Sequence, residues 1–425
     1  MHMRIAAFAA CLAAFLACMP AMAADRLTLD DAIGRVEQAH PDLRLIDAKR
    51  DALAAGVDQA SLRPPLVLGA TVENVMGTDD RRFFDSAEAT VTLGSVFERG
   101  GKLEARRTLA QSRIDALAVE RESKRLDLLA EVARRYLAVV AAQRQREVAS
   151  QDIEQRRRTV AGARHRFTAG ASPQSVVFAA EAALSRAELE RARAKQREQS
   201  ARQHLAALWG EREPQFTVAS GNPYALPTLD AFTQLSAWLN RTPEIAQFAG
   251  ERRIREARLQ LARSQSTPDW SWEVGARRFR EGNDAGLLAS VSIPLGSRAR
   301  AQPEIRAAEA ELAMLEVERE SRDLSLYSTL ADAHGRYLSA QLEVRLLGRE
   351  VIPKLGQAEK AAERAYRAGA ISYLEWAQLQ SERTLARKQQ LEAALEAQRA
   401  LIEIQRLTGQ PFVDGMAINE QGEDQ

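Results

Sequence analysis

The sequence RFTAGA at residues 166–171 decides the fold, because it interrupts a long run of strong helix formers. Neither proline nor glycine occurs from Leu103 to Ala161, where Ala, Leu, Glu, Gln and Arg predominate. At a rise of about 1.5 Å per residue, the helix before the turn would be roughly 90 Å long. Residues 102–210 are therefore predicted to form a helical hairpin longer than any ordinary globular domain.

Apolar residues recur at steps of three and four along this helix. The positions are Leu126, Leu129, Ala133, Tyr136 and Val140. A similar set occurs later, at Leu326, Leu330, Ala333, Tyr337, Ala340 and Val344. This spacing predicts a narrow coiled-coil seam rather than a broad globular face.

The hairpin occurs twice in the chain. AYRAGA at 365–370 matches the first turn, and LTG at 407–409 matches LWG at 208–210, both with an offset of 199 residues (369 − 170 and 409 − 210). VERES at 119–123 returns at 317–321 with an offset of 198 (317 − 119), so a small insertion must follow it in the second copy. A repeat of this kind indicates a tandem duplication of one long hairpin.

Residues 1–23 have the pattern of a secretory signal peptide. A basic residue precedes an apolar run over 5–18, and AMA at 21–23 forms a small-x-small cleavage site. The alternative is a lipoprotein signal ending at Cys18, although Phe15 stands where that signal has leucine. Cleavage after Ala23 would remove both Cys11 and Cys18 and leave a mature chain without disulfides.

The rest of the chain divides into two repeats and a linker. The first repeat, 24–210, contains short helices, a strand pair at 66–74 and 87–96, and the hairpin 102–210. The segment 211–228 is rich in proline and glycine and forms the linker. The second repeat, 229–410, contains short helices, a strand pair at 269–277 and 286–293, and the hairpin 303–410. A C-terminal tail covers 411–425.

Composition excludes several classes of protein. Among 425 residues, 59 Lys and Arg balance 58 Asp and Glu, so no strong field favours nucleic acid as a partner. Aromatic residues make up only 5%, which is low for large globular cores, whereas 45% of the residues are hydrophobic and many of these are alanine. No apolar run of about 18 residues follows the signal, so no transmembrane helix is predicted.

Both strand pairs alternate strictly between apolar and polar residues. One face carries Leu66, Leu68, Ala70, Val72, Ala87, Ala89, Val91, Leu93, Trp270, Trp272, Val274, Ala276, Leu287, Ala289, Val291 and Ile293. This pattern is typical of a membrane barrel with lipid outside and a polar lumen, and alternation alone fits a small soluble sheet equally well. Four strands cannot close a barrel, and open sheet edges do not occur in lipid. A membrane barrel would therefore need several chains.

Enzyme and metal motifs are missing from the sequence. The histidines after the signal are His40, His165, His204 and His334, and none has another histidine three or four residues away. We expect His334 to be packed near the seam and His165 to be exposed near the turn. No Gly-x-Ser-x-Gly, phosphate-loop or dinucleotide pattern occurs. We therefore predict no enzymatic activity, no metal site and no cofactor.

Short motifs along the mature chain are shared with a known family. They are LTL at 27–29 with Ala32 and Pro41, the turn glycines Gly170 and Gly369, and SIPL at 292–295. In these motifs and in its twofold order of helix, helix, strand, strand and hairpin, the chain resembles the TolC-type outer-membrane efflux proteins, the outer membrane factor family. GGK at 100–102 and PD at 268–269 resemble its heavy-metal, CzcC-like branch, although Leu103 breaks that branch's Gly-Gly-Lys-Arg pattern.

The resemblance implies a mainly α fold with membrane β-structure. Three chains would form a homotrimer in the outer membrane, with a twelve-stranded β-barrel and a tube of coiled-coil hairpins across the periplasm. The implied partners are outer-membrane lipid, a periplasmic adaptor (membrane fusion protein) and an inner-membrane RND-type transporter. The implied function is passive export of substrates, with heavy-metal cations the expected class. The alternatives are a periplasmic adaptor and a soluble periplasmic coiled-coil or metal-binding protein.

The resemblance also implies functional residues at the hairpin turns. The residues expected to contact the adaptor are Arg166, Gly170, Ala171, Arg367, Gly369 and Ala370. The residues expected to narrow the pore are Glu375, Tyr366 and Gln378. An acidic ring would depend on Glu375, because Val176 and Gln378 stand where better-known members have acids, and Ile371 replaces a basic residue. The alternative is that Glu375 is a solvated carboxylate near a helix N-terminus, where the macrodipole favours it.

Overall fold

The computed structural model describes residues 26–76, 86–219 and 221–412. The predicted signal at 1–23, most of the first strand connection (77–85) and the tail beyond residue 412 lie outside the described residues. Within the described ranges, no helix combines the length and the apolar character needed to cross a membrane.

The elements follow one order twice: two short helices, two strands and a long helical hairpin. The helices are α1 (Leu29–Ala39), α2 (Pro41–Ala60), α3 (Lys102–Thr168), α4 (Gln174–Ala206), α5 (Phe232–Trp238), α6 (Pro243–Ser264), α7 (Ser297–Leu346), α8 (Ile352–Arg367) and α9 (Tyr373–Thr408). The strands are β1 (Arg26–Leu27), β2 (Val67–Glu73), β3 (Glu88–Phe97), β4 (Thr217–Val218), β5 (Trp270–Phe279) and β6 (Ala285–Ser292).

The first hairpin is built from uninterrupted helices. α3 has 67 residues, which at about 1.5 Å per residue is on the order of 100 Å. It begins after Gly101, whose φ of 73° lies in the left-handed region. α4 returns over 33 residues. The second outgoing helix begins at Ser297, earlier than the position 303 expected from sequence, because the helix accommodates Pro303 in its second turn.

The second outgoing helix is interrupted by a π-helical turn at Leu347–Val351, between α7 and α8. A π turn absorbs an extra residue in a helix, and it lies in the stretch where the repeat offset changes. Pro353 follows and cannot donate a backbone hydrogen bond. The Gln390 amide on α9 donates to the Val344 carbonyl at 3.2 Å, just before the π-helical turn. A Cβ at Gly348 would lie within clashing distance of that amide nitrogen, so a larger residue there would displace the flexible Gln390 side chain.

The predicted seam is narrow in one copy and broad in the other. In α7 the buried residues of this stretch are the six that the sequence predicted, from Leu326 to Val344. In α3, however, burial extends around most of the helix between Leu128 and Gln143, whereas Leu126 is only half-buried. The prediction of a narrow seam is therefore wrong for α3. The reason is that α1, the β1–β4 pair and α9 surround this part of α3 and form one apolar core with it.

Two seam tyrosines anchor the connecting segments. β1 and β4 form a short parallel pair that joins the start of the mature chain to the linker. The Tyr136 hydroxyl donates to the Ala219 carbonyl at 2.7 Å, next to that pair. The Tyr337 hydroxyl donates to the Pro227 carbonyl farther along the linker. Burial raises the pKa of Tyr337 to about 12, so this hydroxyl remains a donor at neutral pH.

Four strands form one antiparallel sheet in the order β2-β3-β5-β6. The register places Leu93 opposite Val274 and Val91 opposite Ala276, so the apolar residues of neighbouring strands share a face. This face is exposed in the single chain, with Leu287 at 92% and Leu68 at 75% exposure. In the described residues, β2 and β6 each pair on one side only. The sheet thus has an uncovered apolar face and two open edges.

The opposite face of the sheet carries a network of polar side chains. Arg277 forms ion pairs with Glu73 at 3.1 Å and Glu88 at 3.0 Å. Its Nε also donates to the Thr90 hydroxyl at 2.9 Å. Charged groups of both signs therefore balance one another on this face, as expected of a surface that contacts water.

A buried ion pair joins the sheet to the long helices. Lys102, the first residue of α3, lies 2.7 Å from Asp269, and its side chain is only 6% exposed. The other Asp269 oxygen accepts from the Arg99 backbone N–H at 3.0 Å. The GGK and PD motifs, 167 residues apart between Lys102 and Asp269, therefore meet at the junction between sheet and hairpin.

Candidate functional site at the hairpin tips

Both hairpin tips end in the same hydrogen-bonded turn. Ala171 N–H donates to the Arg166 carbonyl, and Ala370 N–H donates to the Ala365 carbonyl, each at 2.8 Å. These six-to-one bonds define a Schellman motif, which needs a left-handed residue just after the helix. Gly170 and Gly369 supply it with φ values of 69° and 79°. Both turn glycines thus adopt a conformation that few other residues tolerate.

Arg166 connects the two tips within one chain. Its guanidinium donates to the Tyr366 carbonyl at 2.6 Å and to the Ala171 carbonyl at 3.2 Å. It also lies 4.8 Å from the centre of the Tyr366 ring. An arginine stacked on an aromatic face and bonded to a carbonyl has little freedom. Arg166 therefore holds the second tip against the first, and no periodic pattern in the sequence indicated this contact.

Tyr366 lies in an aromatic cluster and does not face open solvent. It is 3% exposed and stacks on Trp376 with ring centres 5.0 Å apart. Tyr373 packs edge-on against it at 6.4 Å. Ile371, at the position where better-known family members have a basic residue, packs against the same cluster. Within one chain, Tyr366 thus fixes the shape of the tip from inside.

Glu375 occupies the third position of α9 in a capping box with Ser372. The Glu375 carboxylate accepts from the Ser372 backbone N–H at 2.8 Å, and the Ser372 hydroxyl accepts from the Glu375 N–H at 3.3 Å. These bonds hold the pKa of Glu375 below its usual value. Their stabilising effect is present above the ordinary glutamate pKa and is lost as pH falls through the lowered value. The side chain is exposed to solvent.

Gln378 lies on the same helical face one turn beyond Glu375. Its amide donates to Glu382 at 3.1 Å, and all three side chains are exposed. Residues at i, i+3 and i+7 share one side of a helix. The sequence analysis overlooked Glu382, although this spacing could have identified it. Tyr366 is separate from this exposed row, because it is buried on the other side of the tip.

The two hairpins are also joined by a buried polar network above the tips. Gln380, 2% exposed, donates to the Thr159 hydroxyl at 2.9 Å. Glu359 accepts from Gln155 and, at 2.6 Å, from Arg383. Buried polar groups of this kind need their partners, so the network fixes the register of α3 against α8 and α9. No sequence pattern indicated these pairs.

The remaining residues of the predicted site lie at the surface or pack against neighbours. Arg367 is exposed and forms an ion pair with Glu363 at 2.5 Å. Val176 stands where better-known family members have an acid. It packs on the apolar cluster of α3 and α4. Among the described residues, no group of three His, Cys, Asp or Glu side chains has an arrangement suited to a metal ion. His165 is exposed as expected, and His334 is half-buried beside Phe232.

The chain matches known proteins over nearly its whole length. The cobalt-zinc-cadmium resistance protein CzcC of Cupriavidus metallidurans is 30% identical over 392 residues, which are 92% of each chain. The nickel-cobalt-cadmium resistance protein NccC of Alcaligenes xylosoxydans xylosoxydans is 25% identical over 287 residues, or 65% of each chain. Both matches extend across the two repeats rather than one hairpin alone.

Solved structures confirm the predicted fold class. A crystal structure of CusC superposes with a TM-score of 0.73 at 18% identity, covering 89% of this chain and 91% of CusC. The outer-membrane channel OprN superposes with a TM-score of 0.73 at 20% identity and covers 90% of both chains. The model of the family described as outer membrane efflux protein matches residues 32–211 and 235–410. The chain therefore belongs to the outer membrane efflux protein family, the TolC-type transport channels.

Proposed function

We propose that this chain is the outer-membrane exit duct of a tripartite efflux pump. The observation that carries the proposal is the four-stranded sheet with an exposed apolar face, a polar face and two open edges. Such edges are unfavourable in lipid unless they pair. Three chains that pair β2 of one with β6 of the next would close a twelve-stranded barrel with its apolar face outward. The long hairpins would then continue as a tube into the periplasm.

The proposed substrates are heavy-metal cations. The support is the match to a cobalt-zinc-cadmium resistance protein across 92% of both chains. In this proposal the chain reaches the outer membrane after loss of residues 1–23. An inner-membrane RND-type transporter would supply the energy, and a periplasmic adaptor (membrane fusion protein) would join it to the hairpin tips. The duct itself would be passive, without a cofactor.

The function can be tested in cells that lack the chain. We expect those cells to become sensitive to zinc, cobalt or cadmium salts and to recover when the full-length gene is returned. The recovered protein should fractionate with the outer membrane and leave it only in detergent, as a trimer. A monodisperse monomer in detergent-free extracts would contradict the proposal. If the cells keep normal metal tolerance and show altered drug tolerance, the proposal of an exit duct stands. The proposal that heavy-metal cations are its substrates is then wrong.

The hairpin turns are proposed as the contact with the adaptor. The residues concerned are Arg166, Gly170, Ala171, Arg367, Gly369 and Ala370. The support is their position at the two tips, where identical turns expose small residues. Because a β-branched residue is strained at positive φ, the glycines keep these turns compact.

Changing both turn glycines to valine should abolish efflux and leave the trimer intact. The expected reason is a distorted Schellman turn at each tip, far from the sheet that joins the chains. Cross-linking between the tips and the adaptor would measure docking. A matched control is Gly162→Val with Gly335→Val, because both glycines lie in helices with open space around them. Normal cross-linking in the turn variant would rule out this role.

We propose Glu375 and Gln378 as the constriction of the periplasmic end, with Tyr366 shaping the tip behind them. In a trimer the Glu375 carboxylates would form a ring, and three like charges in a confined pore raise the cost of ionising all of them. Such rings attract cations and repel anions. The exposure of Glu375 and Gln378 on one helical face supports this arrangement. The alternative is that Glu375 only caps the start of α9, a role that needs no pore.

Glu375→Gln distinguishes these two roles. Glutamine can also complete a capping box, so the substitution removes the charge and leaves the helix start intact. If the ring exists, the reconstituted channel should lose much of its preference for cations and its block by divalent ions. Glu188→Gln, which removes an exposed carboxylate from α4, serves as the matched control. Unchanged selectivity in Glu375→Gln would leave only the capping role.

A further inference from the structure

At one end of the sheet, β2 and β5 begin after the short helices α2 and α6, and β3 and β6 lead into the long helices α3 and α7. Here β3 ends at Phe97 and β5 begins at Trp270, and the register pairs these two residues directly. Both lie on the apolar face, with exposures of 60% for Phe97 and 40% for Trp270. Aromatic rings prefer the boundary between the hydrocarbon and the headgroups of a membrane. This pair therefore marks the level of the headgroups on the helical side of the sheet.

An arginine is fixed at the same level. The Arg99 guanidinium lies 4.4 Å from the centre of the Trp270 ring. Its backbone N–H donates to Asp269 at 3.0 Å, which anchors the residue to the start of β5. A guanidinium stacked on an indole keeps its outer N–H groups free to bind an oxyanion. Arg99 is exposed in the structure.

Two acidic residues at this end of the sheet are already paired. Asp269 pairs with Lys102 at 2.7 Å. Glu98 accepts from Arg106 at 2.9 Å. Four exposed arginines lie near the strand ends, and we term them the basic belt: Arg63, Arg99, Arg298 and Arg300. The exposed Glu304 lies one helical turn beyond Arg300. In the part of the chain that the structure describes, no ion pair holds Arg63, Arg298 or Arg300.

Two of the belt arginines stand where helix energetics disfavour them. Arg298 and Arg300 lie in the first turn of α7, which carries no acid in that turn. Cations at a helix N-terminus oppose the macrodipole. Departures from a local rule of this kind are expected at functional sites. The start of α7 therefore gives Arg298 and Arg300 no acidic partner in the same turn, and their positions are not explained by helix stability.

We propose that the basic belt binds the phosphate groups of anionic phospholipids in the periplasmic leaflet of the outer membrane. The inference rests on the proposed function, because it requires the apolar face of the sheet to lie in lipid. The aromatic pair sets the depth, and Arg99, Arg63, Arg298 and Arg300 present donors at the height of the lipid phosphates. The belt thereby fixes the vertical position of the duct through lipid charge as well as through apolar contact.

Lipid quenching of tryptophan fluorescence tests the proposal, because Trp270 and Trp272 lie on the lipid face. The full-length protein is reconstituted in phosphatidylcholine vesicles that contain bromine-labelled phosphatidylglycerol or bromine-labelled phosphatidylcholine. The wild type should associate with the anionic lipid about fivefold more strongly for each arginine that meets a headgroup, the equivalent of about 1 kcal/mol. The combined variant Arg99→Gln, Arg298→Gln and Arg300→Gln should associate almost equally with the two labelled lipids.

A matched control and a competitor complete the experiment. Arg186→Gln with Arg191→Gln removes two exposed arginines of α4, away from the sheet, and should leave the preference unchanged. Sodium phosphate, compared with sodium chloride at equal ionic strength, should not displace the lipid. Equal association of both lipids with the wild type, or displacement by free phosphate, would overturn the proposal. Absence of quenching by either lipid would instead refute the membrane location of the sheet and thus the proposed function.

Discussion

Replacing Val91 or Val274 by arginine is expected to destabilise the assembled protein by about 2 to 4 kcal/mol if the residue lies near the bilayer midplane. Both valines lie on the apolar face, with exposures of 53% and 47% in the single chain. A guanidinium at that depth loses its hydration and finds no partner among neighbouring apolar side chains. The free energy of unfolding in vesicles, measured by denaturant titration, gives the effect directly.

The control for this prediction uses the other face of the same strands. Ser271→Arg and Thr92→Arg should cost far less, because both positions share the polar face with Glu273 and Arg277. A lumen filled with water solvates a new charge at little cost. Equal destabilisation on the two faces would mean that the sheet packs in water, as a small soluble sheet would.

The second large effect is expected at the junction between sheet and hairpin. Asp269→Asn leaves the Lys102 ammonium charged and almost wholly buried, since its side chain is 6% exposed. Removing one partner of a buried ion pair costs about 3 to 5 kcal/mol. Asp269 is partly open to solvent, so we expect the lower end of that range. The free energy of unfolding of the purified protein is again the measurement.

The reciprocal variant should be milder, and the double variant should recover stability. Lys102→Met leaves Asp269 with 27% side-chain exposure and the Arg99 N–H as a partner. Lys102→Met combined with Asp269→Asn removes both charges, and replacing a whole buried pair is often neutral. If Asp269→Asn and Lys102→Met are equally mild and additive in the double variant, the pair contributes no coupling energy at the junction.

Sequence reasoning succeeded where the fold depends on periodicity or on local turn chemistry. The duplication follows from the spacing of the two turns, and the positive φ of Gly170 and Gly369 follows from their place after a helix. The capping box of α9 has a local signature in Ser372 and Glu375 that could have been read from the sequence, although it was not predicted. Each of these features depends on residues within a few positions of one another.

The features that sequence reasoning missed join residues distant in the chain. Arg166 contacts Tyr366, 200 residues away, and Lys102 contacts Asp269, 167 residues away. The first pair has no period or motif of its own, and the GGK and PD motifs that contain Lys102 and Asp269 gave no sign that these two residues meet. The seam of α3 was predicted too narrow because the helix pattern does not reveal how many neighbours surround it. The convergence of Glu375 side chains depends on other copies of the chain and remains a prediction.

The π-helical turn at Leu347–Val351 makes the two hairpins mechanically unequal. α3 is a continuous rod, whose bending is resisted by an unbroken ladder of backbone hydrogen bonds. The second outgoing helix is two helical segments joined by this turn, with Pro353, which has no backbone donor, just beyond it and a Gln390 side-chain bond to the Val344 carbonyl just before it. In the proposed tube, a force applied at the hairpin tips would be carried mainly by the first hairpin. Bending would concentrate at the π-helical turn of the second hairpin. In a tube built from these hairpins, stiff helices would alternate with helices that bend more easily. The elasticity of the tube would therefore come from the second copy of the duplicated sequence.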